Sequence, residues 1–278
     1  MMSLFILMTA QAATLAATNY TVDVPMRAPS AAPSWTDEFD GARVDPARWR
    51  FDTAFNKPGW FNHELQYYAD ARPENTRIEH GALVIEARHE TMPKAQDWGG
   101  QAYTSAKLVS QKAYGYGFYE VRAKLPCARG TWPAIWLLPT GGAWPDEGEI
   151  DVMEMVGWQP QIVHATLHSG AFNHRLGTQR GAEIAVPTSC SEFHRYQLDW
   201  SADAITIGVD DHGYMRVKND QPGGKPAWPF TRPYNLILNL AIGGDWAGAK
   251  GIDDAAMPQR MEVDYVRVWQ SPKRRRGR

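Results

Sequence analysis

Alternation of apolar and polar side chains with a period of two recurs along this chain and constrains its fold more than any other feature. In GFYEVRAKL, every second residue from Tyr119 to Leu125 is apolar, and charged side chains occupy the positions between them. This pattern predicts a β-strand with one buried face. Similar strand patterns recur in GALVIEAR, YQLDWS, AITIGVDD, YNLILNLAI and MEVDYVRVW. No window predicts a helix of about three or four turns. We therefore expect an all-β fold, an antiparallel β-sandwich with Greek-key or jelly-roll connections.

The chain of 278 residues has no linker or internal repeat after Trp35, which favours one domain over residues 35–270. Residues 1–34 join an apolar start, MMSLFILMTAQAATLAA, to a Pro-rich lead-in. The start resembles a secretory leader without the basic n-region, and a misassigned start or a simple tail is the alternative. It is too short for a membrane span, which takes about 20 apolar residues. We expect a secreted or periplasmic protein, with residues 271–278 as a solvated basic tail.

Composition argues against some partners and favours others. The formal net charge of −2 predicts neither a nucleic-acid partner nor attraction to an anionic membrane. Twelve Trp, 24 Gly and 19 Pro residues indicate short strands joined by turns, with rings available for flat apolar surfaces. Cys127 and Cys190 either pair or remain free thiols, and their spacing matches no zinc motif. We expect a monomer.

Three acidic residues, Glu149, Asp151 and Glu154, interrupt the apolar segment WPDEGEIDVMEMVG. Strands and apolar interiors both disfavour carboxylates. In a regular strand Glu149 and Asp151 share a face, but Glu154 falls on the buried face, where an unpaired carboxylate costs several kcal/mol. One extra residue at Val152–Met153, a β-bulge, buries both apolar side chains and returns Glu154 to the face of the other two acids. The sequence therefore predicts a bulge in this strand.

The predicted acidic cluster has the chemistry of a carboxylate pair that cleaves glycosidic bonds. The Cα atoms of Glu149 and Glu154 lie about four strand steps, or roughly 13 Å, apart. Side chains that lean inward on a bulged strand can shorten this to the ~5–5.5 Å carboxyl separation of a retaining glycosidase. Asp151 can share a proton with a neighbour, and we expect at least one raised pKa in a coupled set. A solvated strand face and a calcium site are the alternative interpretations.

The segment GEIDVMEMVG resembles the E-x-D-x-x-E signature of glycoside hydrolase family 16 in its bulged, laminarinase-like form. The resemblance runs in order from Trp35 to Trp269 through WTDEFDG, NHELQYY, YGFYEVRAKLP, GTWPAIWLLP, ATLHSG, LNLAIGGDWAG and MPQRMEVDYVRVWQ. It implies a concanavalin-like jelly roll with an open cleft and endo-hydrolysis of β-1,3-glucan without a catalytic cofactor. It also implies that Glu149 is the nucleophile, that Glu154 is the general acid/base and that Asp151 orients Glu149.

The resemblance further implies a set of substrate-binding residues, namely Asn62, Trp132, Trp136, Trp144, His168 and Trp246. A buried core ring is the alternative for Trp132 and Trp136, and a hydrogen-bonded histidine without substrate contact is the alternative for His168. Glu64 in NHELQYY is interpreted at least equally well as a turn or structural residue. His164 and His168 form an H-x-x-x-H pair, which on a helix would suggest a metal site. On the predicted strand their Cα atoms lie ~13 Å apart, which argues against joint ligation, and His164 receives no role.

Many members of the resembled family hold a structural Ca²⁺ away from the catalytic acids, and the matching positions are Glu38, the carbonyl of Gly81 and Asp264. Departures from the family pattern occur in GGDWAG, in CARG and at Phe118, and they bear on substrate preference more than on catalysis. Mixed β-1,3/1,4-glucan is an additional expected substrate. Three alternatives stay open: a non-catalytic β-glucan-binding protein, hydrolysis of agarose or carrageenan, and transglycosylation.

Overall fold

The structure, a computed structural model, describes residues 20–271. The predicted leader up to residue 19 and the basic tail from residue 272 lie outside the described residues. The strands of the described part, in chain order, are β1 (Thr21–Pro25), β2 (Trp35–Asp37), β3 (Trp49–Phe51), β4 (Gln66–Tyr68), β5 (Thr76–Glu79), β6 (Ala82–His89), β7 (Tyr103–Ser105), β8 (Lys107–Tyr114), β9 (Gly117–Lys124), β10 (Thr131–Pro139), β11 (Glu149–Glu154), β12 (Ile162–His168), β13 (Arg180–Ala185), β14 (His194–Trp200), β15 (Ala204–Val209), β16 (His212–Lys218), β17 (Tyr234–Ile242) and β18 (Gln259–Gln270).

The strands form two sheets that pack as a sandwich. One sheet has the order β1-β16-β15-β14-β9-β18-β6-β7-β4, with β2 paired to β18 and β5 paired to β6. The other sheet, with the order β13-β12-β11-β10-β17-β8-β3, carries the acidic strand β11 near its middle. The strand pairs are antiparallel except β4–β7. All six strand segments predicted from alternation are present, so the predicted all-β sandwich is confirmed.

The inward-facing residues of β9 and β10 follow the predicted parity. In β9 the side chains of Tyr119, Val121 and Ala123 enter the core between the sheets. In β10 Ile135 and Leu137 do the same from the opposite sheet. The outward face of β9 is more covered than alternation predicts: Phe118 packs against Trp269, and Glu120 accepts hydrogen bonds from Gln197 and Tyr265. Sheet neighbours supply this second layer of packing, and they cannot be read from one strand alone.

The folded domain begins earlier than the predicted boundary at residue 35. Strand β1 pairs with β16, although the sequence placed residues 21–25 in an extended lead-in. Pro25 is the last residue of this edge strand, a position where the lack of an N–H removes no hydrogen bond from the ladder. An edge strand held by a single neighbour carries too little burial pattern to be recognised from its sequence.

Helical segments in the described part of the chain are short, as expected. They are α1 (Gly244–Ala247) and the 3₁₀ turns Phe61–His63, His174–Leu176, Gly248–Lys250 and Asp254–Ala256. None of these helices has the length and hydropathy needed to cross a membrane.

Cys127 and Cys190 form a disulfide, with their Cα atoms 5.8 Å apart. The bond ties the loop between β9 and β10 to the segment before β14. The same loop packs tightly on the end of the acidic strand: a Cβ added to Gly157 would lie 1.8 Å from the carbonyl oxygen of Ala128. Glycine at 157 therefore permits the close approach that holds this loop beside β11.

Candidate active site

The predicted bulge is present in β11. Asp151 and Met153 pair with consecutive residues of β10, so Val152 is the extra residue between them, and the pairing with β12 shifts over the same stretch. The side chains of Val152 and Met153 are both buried in the core. Glu154 therefore returns to the outward face that carries Glu149, as the sequence predicted.

Strand β12 places a polar side chain opposite each acid. The pairs are Glu149–His168, Asp151–Thr166 and Glu154–His164. Burial lowers the pKa of His168 to about 3, with a smaller effect from His174, and lowers the pKa of His164 to about 4. Both imidazoles are therefore neutral near pH 7 and act as hydrogen-bonding groups rather than as charges.

The surroundings of Asp151 favour its protonated form. It is buried, and its Oδ2 lies 3.4 Å from Nε2 of His168. Burial, followed by the charges of Glu149 and Glu154, raises the pKa of Asp151 well above its usual range. A protonated Asp151 donates its hydrogen bond to Glu149, and this bond lowers the pKa of Glu149. The three acids therefore titrate as one coupled set.

Glu149 is surrounded by groups that favour its charged form. Burial, with a smaller effect from the charge of Glu64, raises its pKa, but three groups limit that rise: the indole N–H of Trp144, the proton of Asp151 and the positive charge of Lys107. The Trp144 Nε1–H donates directly to Oε2 of Glu149. Two donors and one cation therefore favour the charged form of this side chain.

Glu154 has the environment of a neutral acid. Its Oε1 accepts one hydrogen bond, 3.0 Å long, from Nε1 of Trp132. Burial, together with the negative charges of Glu149 and Glu64, outweighs this donor and raises the pKa of Glu154 to about 8. The surroundings of Glu149 thus favour the charged form more than those of Glu154 do, and this difference matches the division of roles that glycoside cleavage requires.

The tryptophans predicted to bind substrate lie around these acids in three different ways. Trp136 is half-buried and donates from Nε1 to Oδ1 of Asn239 over 2.7 Å. The Trp132 ring meets the edge of Trp246, with centroids 5.2 Å apart. The Trp144 ring is covered by the guanidinium of Arg175 at 4.5 Å. Trp132 and Trp136 therefore keep an outward position on β10, whereas the contacts of Trp144 favour holding Glu149 over stacking on a sugar.

Two charged residues, Lys107 and Glu64, lie near the acids. Lys107 was not predicted there, and for Glu64 a turn or structural role was considered at least equally suitable. Glu64 raises the pKa values of both Glu149 and Glu154, and its own pKa is raised by burial. The ammonium of Lys107 lies 3.0 Å from Oδ2 of Asp52 and 5.0 Å from the Trp136 ring. The sequence around each of these residues does not predict its position near the acids, because each reaches the cleft from a strand or loop distant in sequence from β11. His164, which received no role, also lines this face, 5.0 Å from the Trp246 ring.

Asn62 lies in an exposed turn at the wall of the cleft. Its φ of 55° and that of His63, 54°, fall in the left-handed region that non-glycine residues rarely adopt. The backbone carbonyl of Asn62 lies against Gly244. Asn62 therefore shapes the loop that carries Glu64 toward Glu149 and Glu154.

The predicted calcium ligands lie in the other sheet. Glu38 directly follows β2, Gly81 lies in the turn before β6, and both β2 and β6 pair with β18, which contains Asp264. Each carboxylate already has a cationic partner: Arg267 is 2.8 Å from Glu38, and Arg122 is 2.5 Å from Asp264. Residues 20–271 contain no group of three or more His, Cys, Asp or Glu side chains arranged to hold a metal ion. As arranged, the two carboxylates are paired with arginines.

Comparison with known proteins gives one consistent family. The family model for glycosyl hydrolases family 16 matches residues 62–267. A beta-glucanase from Rhodothermus marinus is 48% identical over 247 residues, covering 84% of each chain. A crystal structure of a non-specific endo-β-1,3(4)-glucanase superposes with a TM-score of 0.88 at 50% identity, covering 92% of this chain and 97% of the other. The laminarinase structure from Rhodothermus marinus gives a TM-score of 0.81 at 46% identity, covering 88% and 99%. This chain therefore belongs to glycosyl hydrolases family 16.

Proposed function

We propose that this glycoside hydrolase is a secreted, retaining endo-glycosidase that cleaves β-1,3-glucan and also accepts mixed β-1,3/1,4-glucan. The observation that carries the proposal is the contrast between Glu149 and Glu154 on one bulged strand. Glu149 has two hydrogen-bond donors and a nearby cation, whereas the pKa of Glu154 is raised to about 8. The names of the relatives support the substrate: a beta-glucanase, a laminarinase and an endo-β-1,3(4)-glucanase.

The proposed reaction proceeds in two displacements. Glu154 gives its proton to the glycosidic oxygen while the Glu149 carboxylate attacks the anomeric carbon, which forms a glycosyl-enzyme and releases the leaving chain. Glu154, now ionised, takes a proton from water as that water attacks the anomeric carbon and frees Glu149. Asp151 stays protonated and donates to Glu149, and His168 lies beside Asp151 as a neutral partner.

Replacing each outer acid tests these roles. Glu149→Gln and Glu154→Gln keep side-chain size, so both variants are expected to fold and to lose at least about 10²–10⁴-fold in the release of reducing sugar from laminarin. Circular dichroism and the melting temperature serve as controls for folding. Retained activity in either variant would refute the role given to that residue.

Stereochemistry provides an independent test of the double displacement. Two inversions at the anomeric carbon leave the β configuration of the substrate in the product. Proton NMR of the first products from laminarin is expected to record β-anomers before mutarotation. If α-anomers come first, a single displacement replaces the proposed mechanism.

A substrate panel separates this proposal from the alternatives. Release of sugar is expected from laminarin and, more slowly, from lichenan, but not from agarose or carrageenan. Binding of laminarin without any release would assign the chain to the class of β-glucan-binding proteins, to which a Penaeus monodon relative with 32% identity belongs by name. Products longer than the added oligosaccharide would indicate transglycosylation, because a sugar hydroxyl then replaces water as the acceptor.

Secretion and the monomeric state are parts of the same proposal. The disulfide between Cys127 and Cys190 supports an oxidising compartment, because disulfides persist mainly in secreted and periplasmic proteins. N-terminal sequencing of the exported protein is expected to find a first residue that lies after the apolar start. Size-exclusion chromatography with light scattering is expected to give the mass of a single chain.

Calcium binding remains a separate proposal for the sheet that contains Asp264. Coordination through carboxylates requires Arg267 to release Glu38 and Arg122 to release Asp264. Isothermal titration of the chelator-treated protein with Ca²⁺ tests it. A stoichiometric heat signal together with a raised melting temperature supports the site, and no change in either measurement removes it.

A further inference from the structure

Two aromatic rings are exposed near one end of the catalytic sheet. Phe61 keeps 59% and Phe55 37% of its surface accessible, and their ring centroids are 4.7 Å apart. The large hydrophobic residues exposed in the described part of the chain are Phe55, Phe61, Leu65 and Leu176. A paired, exposed aromatic surface indicates a binding site more strongly than a single exposed apolar residue does.

Side-chain contacts connect this aromatic pair to the cleft that contains the acids. Trp60 packs 5.7 Å from Phe55, and the ammonium of Lys107 lies 4.8 Å over the Trp60 ring. The same ammonium lies 5.0 Å from the ring of Trp136 on β10, the strand beside the catalytic strand. A row of contacts through the buried side chains of Trp60 and Lys107 therefore connects Trp136 to the rim where Phe61 is exposed.

The backbone holds the exposed ring in place at a conformational cost. Asn62 and His63, the two residues after Phe61, both have positive φ. Two consecutive non-glycine residues in this region are strained, and such strain persists where surrounding contacts over-determine it. The loop is held by His63, whose Nδ1 lies 2.9 Å from Asp245, and by a backbone bridge between Glu64 and Gly243. The conformation exposes Phe61 while Glu64, three residues later, influences the catalytic acids.

We propose that Phe55 and Phe61 form an outer subsite for a β-1,3-glucan chain, beyond the sugars held at Trp132 and Trp136. The proposal rests on the proposed function and extends the cleft to longer substrates. The C–H face of a glucose unit packs against the exposed Phe61 ring, and Phe55 supports that ring from the side. Binding energy from this remote unit raises kcat/KM only for chains long enough to reach it.

The test compares substrates of increasing length. We propose measuring kcat/KM with β-1,3-gluco-oligosaccharides from the shortest cleaved substrate upward, and with laminarin, for the native enzyme and Phe61→Ala. The variant is expected to lose about tenfold, equivalent to ~1.4 kcal/mol, with laminarin and the longest oligosaccharides. Its kcat/KM with the shortest cleaved substrate is expected to stay unchanged, because that substrate does not reach the rim.

Two matched variants sharpen the test. Phe61→Trp keeps an exposed ring and is expected to retain the native length dependence. Leu176→Ala removes a side chain with 62% exposure from a different loop, and it is expected to change no length-dependent rate. Equal rates for Phe61→Ala and native enzyme at every length would overturn the subsite. An equal loss at every length would also overturn it, because the Phe61 ring would then stabilise the loop conformation instead of binding a distant sugar. Failure of the native enzyme on all β-1,3-glucans would instead reject the proposed function.

Discussion

Trp132→Phe isolates the one hydrogen bond that stabilises the ionised form of the proposed general acid. The indole N–H of Trp132 donates to Oε1 of Glu154 over 3.0 Å, and phenylalanine keeps an aromatic ring without this donor. A hydrogen bond to a charged group contributes about 1.5–3 kcal/mol. Since one pKa unit equals about 1.4 kcal/mol, loss of the bond raises the pKa of Glu154 by about one to two units. From about 8 in the native enzyme, the pKa therefore moves further into the alkaline range.

The pH dependence of kcat/KM with a soluble β-1,3-glucan reports this change in the free enzyme. Glu154 must be protonated to act as the acid, so activity falls as pH rises through its pKa. The alkaline limb of Trp132→Phe is expected to lie about one to two pH units above that of the native enzyme. The maximal rate is also expected to fall, but only the pH position of the alkaline limb tests the role of this hydrogen bond.

Trp136→Phe is the matched control for this measurement. Its Nε1–H donates to Asn239, an uncharged side chain, over 2.7 Å. The substitution is expected to lower kcat/KM at every pH and to leave the limb in place. If the limb of Trp132→Phe does not move, or moves to lower pH, the indole does not stabilise ionised Glu154 and the electrostatic assignment is wrong.

Three further predictions follow from contacts outside the catalytic strand. Lys107→Met removes a charge that lowers the pKa of Glu149, so the acidic limb of the pH profile of kcat/KM is expected to move to higher pH. Glu64→Gln removes a carboxylate that raises the pKa values of both outer acids, so both limbs are expected to move to lower pH. Replacing Cys127 and Cys190 by serine opens a loop with a sequence separation of 63, which costs about 4 kcal/mol in the chain-entropy model and lowers the melting temperature by roughly 10 °C.

The strands and the bulge were predictable from local sequence. A strand has a fixed period of two, and all six segments predicted as strands from their sequence are present. The bulge followed from the same period, because without an extra residue at Val152 the carboxylate of Glu154 would point into the core. The observed pairing of β11 with β10 and β12 agrees with this reasoning.

The pairing of distant segments was not predictable in this way. The sequence left the cysteines with two options, and their pairing depends on the placement of loops 63 residues apart. The inclusion of β1 in the fold depends on a partner, β16, almost two hundred residues later in the chain. Local period and composition contain no information about which strands become neighbours.

What the sequence by itself determined is which three acids share a face, because strand parity and the cost of a buried carboxylate leave one solution. Only the tertiary structure decided how those acids differ. Trp144 and Lys107 limit the rise in the pKa of Glu149, whereas burial and the charge of Glu149 raise that of Glu154. These groups come from separate strands and loops, and a pKa depends on the distances and burial that their packing creates.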